Sequence, residues 1–347
     1  MISAILIRAH INPFTRALYA LSAFWSGFAI YLLLAAALCW LIAPAFWVAG
    51  RTPPMRPVAS ALFAAAFLFS AYGVWNAFHP KITKVEVKIP GLPESWLHKT
   101  IIHISDAHLG AIYTPRYFSG IAGTINSFHP DVIFITGDLF DSISAGDLNS
   151  FVGPLNELEA GDGIFYVNGN HENYIGMDAV ISALAKTKIR VLRDEVVQID
   201  GVQIVGVDFP EFGAQRDVKR IIQSRKEFKK GTPSILLYHT PTNIEQRSMT
   251  VEEYQTKTYW SPDLDFTAAR ELGINLQLSG HTHRGQMVPF VYLAEFLYRG
   301  YDYGLHREGD FSIYITSGLG AVGPPIRTGT TAEIVVIRLK SAAQGKR

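Results

Sequence analysis

Between Ala17 and Gly50 the chain carries no Asp, Glu, Lys or Arg. A second such run, Val58 to Pro80, comes after the short basic, Pro-rich stretch "RTPPMRP". The first run exceeds the roughly 20 residues that a helix needs to cross a bilayer. In hydrocarbon every backbone amide must be bonded within the segment, so such a run has few options besides helix. The expectation is a two-helix transmembrane hairpin over residues 1–80, with spans at about 17–43 and 58–79. Pro44 is expected to end or bend the first helix. Trp25, Trp40, Trp47 and Trp75 lie toward the segment ends or flanks, as interfacial aromatics do. A cleavable signal peptide would have a shorter apolar core of about 7–15 residues and no second span.

Orientation follows the Lys and Arg residues. Arg8 and Arg16 precede the hairpin, Lys81, Lys84 and Lys88 come after it, and Arg51 and Arg56 sit in the connecting loop. Five against two favours both ends on the cytoplasmic side of a cell inner membrane, a multi-pass arrangement with the rest of the chain in the cytoplasm. The bilayer is the partner this implies, and no obligate protein partner is evident. A net charge of +1, from 31 Lys+Arg and 30 Asp+Glu, leaves no electrostatic footprint for nucleic acid. The one cysteine, Cys39, lies inside the first span, which excludes an internal disulfide and cysteine-based zinc sites.

From 81 to 347 the pattern changes to alternating strand-like and helix-like segments, an α/β domain whose sheet is in part antiparallel or mixed. Ten strands are expected: "KVEVKI", "TIIHIS", "DVIFIT", "GIFYVN", "IRVL", "VQIVGV", "SILLY", "NLQLS", "FSIYITS" and "EIVVIRL". Helices are expected at 115–128, 148–159, 177–186, 216–230, 267–272 and 291–298.

Five of the apolar runs end in side chains that can bind metal. "TIIHIS" leads into Asp106 and His108, "DVIFITG" into Asp138 and Asp141, and "GIFYVNG" into Asn170 and His171. "SILLY" leads into His239, and "NLQLSG" into His281 and His283. In α/β sheets ligands gather at the carboxyl ends of strands. Taken singly, each residue is an ordinary polar strand end or a cap. Five together form a constellation of carboxylates, imidazoles and one carboxamide without a thiolate, which suits borderline divalent cations. The set is too large for one tetrahedral ion and fits two ions about 3.5–4 Å apart sharing a carboxylate. The glycines before Asp138, Asn170 and His281 allow sharp turns at the strand ends.

The blocks "SDAHLG", "GDLFD", "GNHE", "YHTP" and "GHTHRGQ", in this order over residues 101–286, resemble the calcineurin-like metallophosphoesterases. The tail "SGLGAVGPPIRTGTTAEIVVIRL" resembles a bacterial membrane-anchored branch that includes the UDP-2,3-diacylglucosamine hydrolases of lipid A biosynthesis. Two departures from that branch are Arg284, where glycine is usual, and a longer segment "RSMTVEEYQTKTYWSPD".

The resemblance implies a four-layer αββα sandwich of mixed sheets. It implies one metal on Asp106, His108 and His283, a second on Asn170, His239 and His281, and Asp138 bridging them. The cofactors it implies are two divalent metal ions, manganese first, with iron or zinc as alternatives, holding a bridging hydroxide for phosphoester or pyrophosphate hydrolysis. His171 then protonates the leaving oxygen or stabilises phosphoryl charge, and Asp141 orients the His171 ring. Arg284 is a candidate phosphate contact. The expected substrate is a phosphorylated or nucleotide-linked lipid; the alternatives are a soluble phosphodiester or an inactive scaffold of the same fold. The stretch "MVPFVYLAEFLYRGY" reads either as a core helix or as a membrane-facing lip beside the site.

Overall fold

A computed structural model of the chain describes residues 2–143, 146–210, 217–244 and 260–342. The chain opens with a short helix, α1 (Ile2–Ala9), and continues into two long apolar helices, α2 (Pro13–Val48) and α3 (Met55–Phe78). Asn12 begins α2 through a reciprocal cap, its side chain accepting from the Thr15 amide while the Thr15 hydroxyl accepts from the Asn12 amide. Pro44 does not end the helix, which runs on to Val48. A membrane helix tolerates an interior proline when local adjustments satisfy the freed carbonyl. Both helices are long and apolar enough to cross a membrane. At 36 residues, α2 is about 54 Å long and outreaches a hydrocarbon core of about 30 Å. The helices pack through edge-on pairs, Phe28 with Phe67 and Tyr31 with Phe69. Leu33, Trp40, Leu41 and Leu68 point outward.

The remainder builds two six-stranded mixed sheets. The first has the order β1 (Lys81–Pro90), β12 (Glu333–Ala342), β2 (Ile101–Ile104), β3 (Val132–Thr136), β4 (Gly163–Val167) and β5 (Ile189–Val191). The second has the order β10 (Gly304–Glu308), β11 (Phe311–Ile315), β9 (Leu276–Ser279), β8 (Ser234–Leu237), β7 (Val202–Gly206) and β6 (Glu195–Ile199). In the first sheet β12 runs antiparallel to β2, and the other pairs are parallel. In the second only the edge pairs, β6 with β7 and β10 with β11, are antiparallel.

Strand alternation sorts the core into three apolar layers of contact, giving the αββα order. Ile101, Val132, Phe134, Ile235 and Leu278 fill the space between the sheets. Their sequence neighbours Ile102 and Ile133 face the helices of the first sheet. Leu236 and Ile313 face the helices Val218–Gln223 and Thr267–Leu272 of the second. With both faces covered, the central strands read as unbroken apolar runs.

All ten expected strands are present, and two more, β6 and β10, complete the second sheet. Both lie at its edges, and their sequences "EVVQI" and "GLHRE" are only partly buried, so neither shows an apolar run. The expected 148–159 helix divides into a 3-10 turn, Leu148–Phe151, and a short helix, Val152–Asn156. Of the expected 216–230 helix, Val218–Gln223 is helical. Most of the long "RSMTVEEYQTKTYWSPD" segment, residues 247–259, lies outside the described residues.

Candidate metal centre

The parallel strands β2, β3 and β4 of one sheet and β8 and β9 of the other deliver their carboxyl ends to one edge of the sandwich. Asp106 and His108 follow β2, Asp138 follows β3, and Asn170 opens the helix Asn170–Ile175 after β4. His239 follows β8, and His281 and His283 follow β9. The turns are tight enough that Asp106, His108, Asp138, His281 and His283 all adopt positive φ, between 46° and 72°. Non-glycine residues there carry strain that the surroundings must hold. The preceding glycines serve two different needs. Gly137 itself has a φ of 82°, and a Cβ there would stand 2.6 Å from His239 Nδ1. At Gly169 and Gly280 the need is space, since a Cβ would come 2.2 Å from Asp138 Oδ1 and 2.1 Å from Asp106 Oδ2.

Two groups of ligand atoms result. In one, His108 Nε2 lies 3.0 Å from His283 Nε2, which lies 3.4 Å from Asp106 Oδ1. In the other, His281 Nδ1 lies 3.0 Å from Asn170 Oδ1 and 3.2 Å from His239 Nε2. Asp138 Oδ2 stands between the groups, 3.3 Å from His239 Nε2 and 4.0 Å from His108 Nε2. Ligand atoms bound at about 2.0–2.2 Å to one cation sit about 3.0–3.5 Å from each other, so both groups have the spacing of coordination shells. All seven residues are buried. The donor set and its convergence fit two divalent cations.

Electrostatics agree with that fit. Burial pushes the Asp106 carboxyl up to about 6. Burial also holds the His108 and His283 imidazoles well below their usual range, and neighbouring cationic groups add to this, so both present lone pairs. Burial would lower His239 too, but the Asp138 and Asp106 carboxylates outweigh it and raise that imidazole to about 9. Asp138 is correspondingly held ionised, burial notwithstanding, by His239 and the other imidazoles around it. A proton on His239 shared toward Asp138 lies where a cation held by the same two atoms would sit.

His171 sits at the mouth, its ring edge-on to His108 with centroids 4.5 Å apart. The Ser142 amide donates to His171 Nδ1 at 3.3 Å, which leaves the ring proton on Nε2, 4.0 Å from Asp138 Oδ2. The hydrogen bond that fixes this ring thus comes from the residue after Asp141. The Asp141 carboxylate accepts from the Ile143 amide at 3.0 Å and from the Tyr19 hydroxyl of α2 at 3.4 Å. Arg284 is exposed on the rim, its guanidinium 4.8 Å from the Tyr303 ring centroid.

Two buried residues that the sequence reading did not assign hold the site together. Glu172 Oε2 accepts from the Gly169 amide at 2.7 Å and the Asp138 amide at 2.9 Å, and Oε1 accepts from the Phe140 amide at 3.0 Å. One carboxylate therefore clamps the Asp138 turn to the Asn170 turn. Its signal was the acidic residue closing "GNHE", at the N3 position of a capping box. The second is Arg327, fully buried, whose Nη2 lies 3.1 Å from His283 Nδ1. It lies in the tail "SGLGAVGPPIRTGTTAEIVVIRL", but nothing local gives it a place beside the ligands.

An α/β sandwich with two clusters of metal-ligating side chains converging at one strand edge is suited to hold divalent metal. The calcineurin-like phosphoesterase family model matches residues 99–285, and the chain belongs to that family. It is 32% identical over 273 residues to an "Uncharacterized metallophosphoesterase" of Helicobacter pylori, covering 76% of this chain and 66% of that one. It is also 32% identical over 301 residues to a "Transmembrane protein with metallophosphoesterase domain" of Danio rerio, covering 83% of this chain and 63% of that one. The chain therefore spans just under two thirds of the length of these relatives.

Proposed function

We propose that this protein is a membrane-bound phosphodiesterase or pyrophosphatase that hydrolyses a lipid-linked phosphate, such as a nucleotide-linked lipid, at the bilayer surface. One observation carries this reading. A cavity of about 410 Å³ runs from His281 and His283 along Met287 and Leu293 to Ile30 of α2. Its wall, the helix Phe290–Leu297, has no buried residue, and Phe290, Tyr292, Leu293 and Phe296 are exposed. That exposure favours the membrane-facing lip over the core helix. A contiguous apolar surface beside a buried polar centre suits an acyl chain attached to a phosphate.

The hairpin sets the level. From Trp25 to Trp47 is 22 residues, about 33 Å of helix, close to the hydrocarbon thickness. With those aromatics at the two interfaces, the boundary on the domain side passes close to Ile30 and the cavity mouth. The Danio rerio relative is named as a transmembrane protein, which supports membrane association for this chain. The Lys and Arg balance favours a multi-pass inner-membrane protein with its catalytic domain in the cytoplasm.

In this reading Asp106, His108 and His283 hold one cation, Asn170, His239 and His281 the other, and Asp138 faces both. When bound, two divalent ions supply charge for the phosphoryl oxygens and lower the pKa of water between them. Imidazole and carboxylate ligands suit manganese, iron or zinc, and manganese is the first choice. His171 presents its Nε2 proton to the leaving oxygen, with the Ser142 amide holding the tautomer.

The test is a matched pair of substrates for the manganese-loaded full chain in detergent micelles. A UDP-linked diacyl sugar is compared with the same nucleotide sugar lacking chains, with bis-p-nitrophenyl phosphate as a third substrate. The acylated compound should show a kcat/KM at least about 100-fold higher, as expected if about 3 kcal/mol or more of chain burial is used in the transition state. Equal values would support a soluble substrate with the hairpin as mere anchor. No hydrolysis of any of the three would support the inactive scaffold.

A further inference from the structure

The loop between β11 and β12, from Thr316 to Ala332, is threaded between the metal centre and the hairpin. At its inner end Arg327 is enclosed. Nε donates to the Gly320 carbonyl at 2.8 Å, Nη1 to the Thr330 hydroxyl at 2.8 Å and Nη2 to the Ser317 carbonyl at 2.7 Å, with His283 Nδ1 3.1 Å away. The guanidinium thus fastens the loop behind a residue whose Nε2 faces the metal position. At its outer end the same loop is held by the apolar helices. The Asn76 carboxamide of α3, buried, donates to the Arg327 carbonyl at 2.8 Å and the Thr330 carbonyl at 2.6 Å. The Arg327 amide donates to the Gly73 carbonyl at 2.9 Å, and the Tyr31 hydroxyl of α2 bonds the Thr328 hydroxyl.

Contact is close enough to require glycine on both helices. A Cβ at Gly73 would stand 2.6 Å from Ile326 Cγ2 and 2.7 Å from Thr328 Cγ2. A Cβ at Gly27 would stand 2.7 Å from Pro324 Cβ. A Gly73 carbonyl that accepts outside its helix and a carboxamide in an otherwise apolar run serve this contact, not the spanning of a bilayer.

We propose that the hairpin is a built part of the metal centre: Asn76 and Gly73 fix the loop, and through it Arg327 positions His283. These are positioning residues that touch no substrate, and the inference rests on the reading of the site as a metal centre. A ring that ligates through Nε2 keeps its proton on Nδ1, which a guanidinium cannot accept, so Arg327 would hold His283 by packing the loop against the ring; losing a group that orients a ligating imidazole is expected to weaken metal binding by about 10-fold or more.

The experiment uses the full chain in detergent micelles, with manganese binding measured by titration calorimetry and bis-p-nitrophenyl phosphate as a chain-free substrate. Gly73→Ala and Asn76→Leu should weaken manganese at one of two sites by about 10-fold or more and leave the other site near its wild-type affinity. Turnover should fall at low manganese and recover at saturating manganese, with KM for the diester unchanged. Arg327→Lys, which keeps a buried cation but fewer bonds, should fall between wild type and Arg327→Gln. Leu68→Ala, on the outward face of α3, should leave both affinities as they are. Wild-type affinity at both sites in Gly73→Ala and Asn76→Leu overturns the inference. A loss that excess manganese does not reverse also overturns it, because that is the behaviour of general destabilisation. Failure of the wild-type chain to bind manganese would instead remove the metal-centre reading on which the inference rests.

Discussion

The metal cluster and the helix Phe290–Leu297 are only a few residues apart in the chain, and they break the usual partition of side chains in opposite directions. The cluster buries charge: Asp106 is 0% and Asp138 2% exposed. The helix exposes hydrocarbon: Phe296 is 78% and Tyr292 67% exposed. Each is unfavourable for a chain alone in water, one through desolvated carboxylates and the other through an uncovered apolar face. In the proposed function a pair of cations would relieve the first, and bilayer or acyl hydrocarbon the second. The cavity between them puts the two unusual environments in contact.

The largest expected effect breaks the first side of this comparison. Asp138→Asn keeps the shape of the side chain and removes the charge between the two ligand groups. Metal content after gel filtration should drop at both sites, and turnover of bis-p-nitrophenyl phosphate should fall by about 10³-fold or more, equivalent to several kcal/mol of lost charge stabilisation. Retained metal with full turnover would show that Asp138 does not serve both groups. Next is His171→Ala, which should keep both metals and lose about 10²–10⁴-fold in turnover. The loss should shrink for p-nitrophenol esters, whose leaving group needs less protonation. Loss of metal in this variant would place His171 among the ligands.

The legibility of the two regions differed for a physical reason. Ligands such as Asp106 and His108, or His281 and His283, arrive as short blocks directly after a buried strand, so one stretch of sequence carries both the scaffold and the chemistry. The four-layer order followed from the resemblance, while the strands themselves were visible as apolar runs. The edge strands β6 and β10 were not, because an edge strand is only half covered and shows no such run. The helix Phe290–Leu297 was legible as a helix but not in its setting, since a core face and an exposed apolar face have the same composition. The pairing of Asn76 with the Arg327 loop left no mark, although Arg327 lies in the quoted tail. The two are 251 residues apart and meet only when the hairpin docks on the folded sandwich. Arg284 is a departure within a matched motif, and its guanidinium lies over the Tyr303 ring on the rim.

A smaller effect sharpens what cations do for buried polar groups, by testing a neighbour that lacks one. His103 is fully buried in β2, three residues before Asp106, with Nε2 2.8 Å from the Thr136 hydroxyl. Burial lowers its imidazole to about 3. Below the unfolded value of 6.5 the unfolded chain binds a proton that the folded chain refuses, so stability is lost as pH falls from 6.5 toward 3. The slope for this one group is about 1.4 kcal/mol per pH unit. Between pH 6.5 and 5 the metal-free protein should therefore lose about 2 kcal/mol more than His103→Asn in denaturant titrations. Identical pH dependence of the two proteins would show that His103 is not the buried neutral group described.

The smallest effect tests the second side of the comparison and separates lipid contact from core packing. Phe290, Leu293 and Phe296 lie on the exposed helix, and Phe290 and Leu293 also line the cavity. Replacing all three by Ser removes hydrocarbon from the rim and leaves every ligand in place. If acyl chains pass there, the apparent KM for the acylated substrate should rise about 10-fold or more, since even one aliphatic contact is worth roughly 1.5 kcal/mol. Turnover of the chain-free diester should stay the same, because its reaction needs only the cluster. Tm should also hold, because substitutions at exposed positions usually stay within about 0.5 kcal/mol each. Core residues would behave differently: truncating them costs about 2–5 kcal/mol apiece, Tm falls, and both activities fall with it. A triple variant with lowered Tm and parallel loss on both substrates would remove the lipid rim, whereas unchanged KM for the acylated substrate at full stability would move the acyl path elsewhere on the cavity wall.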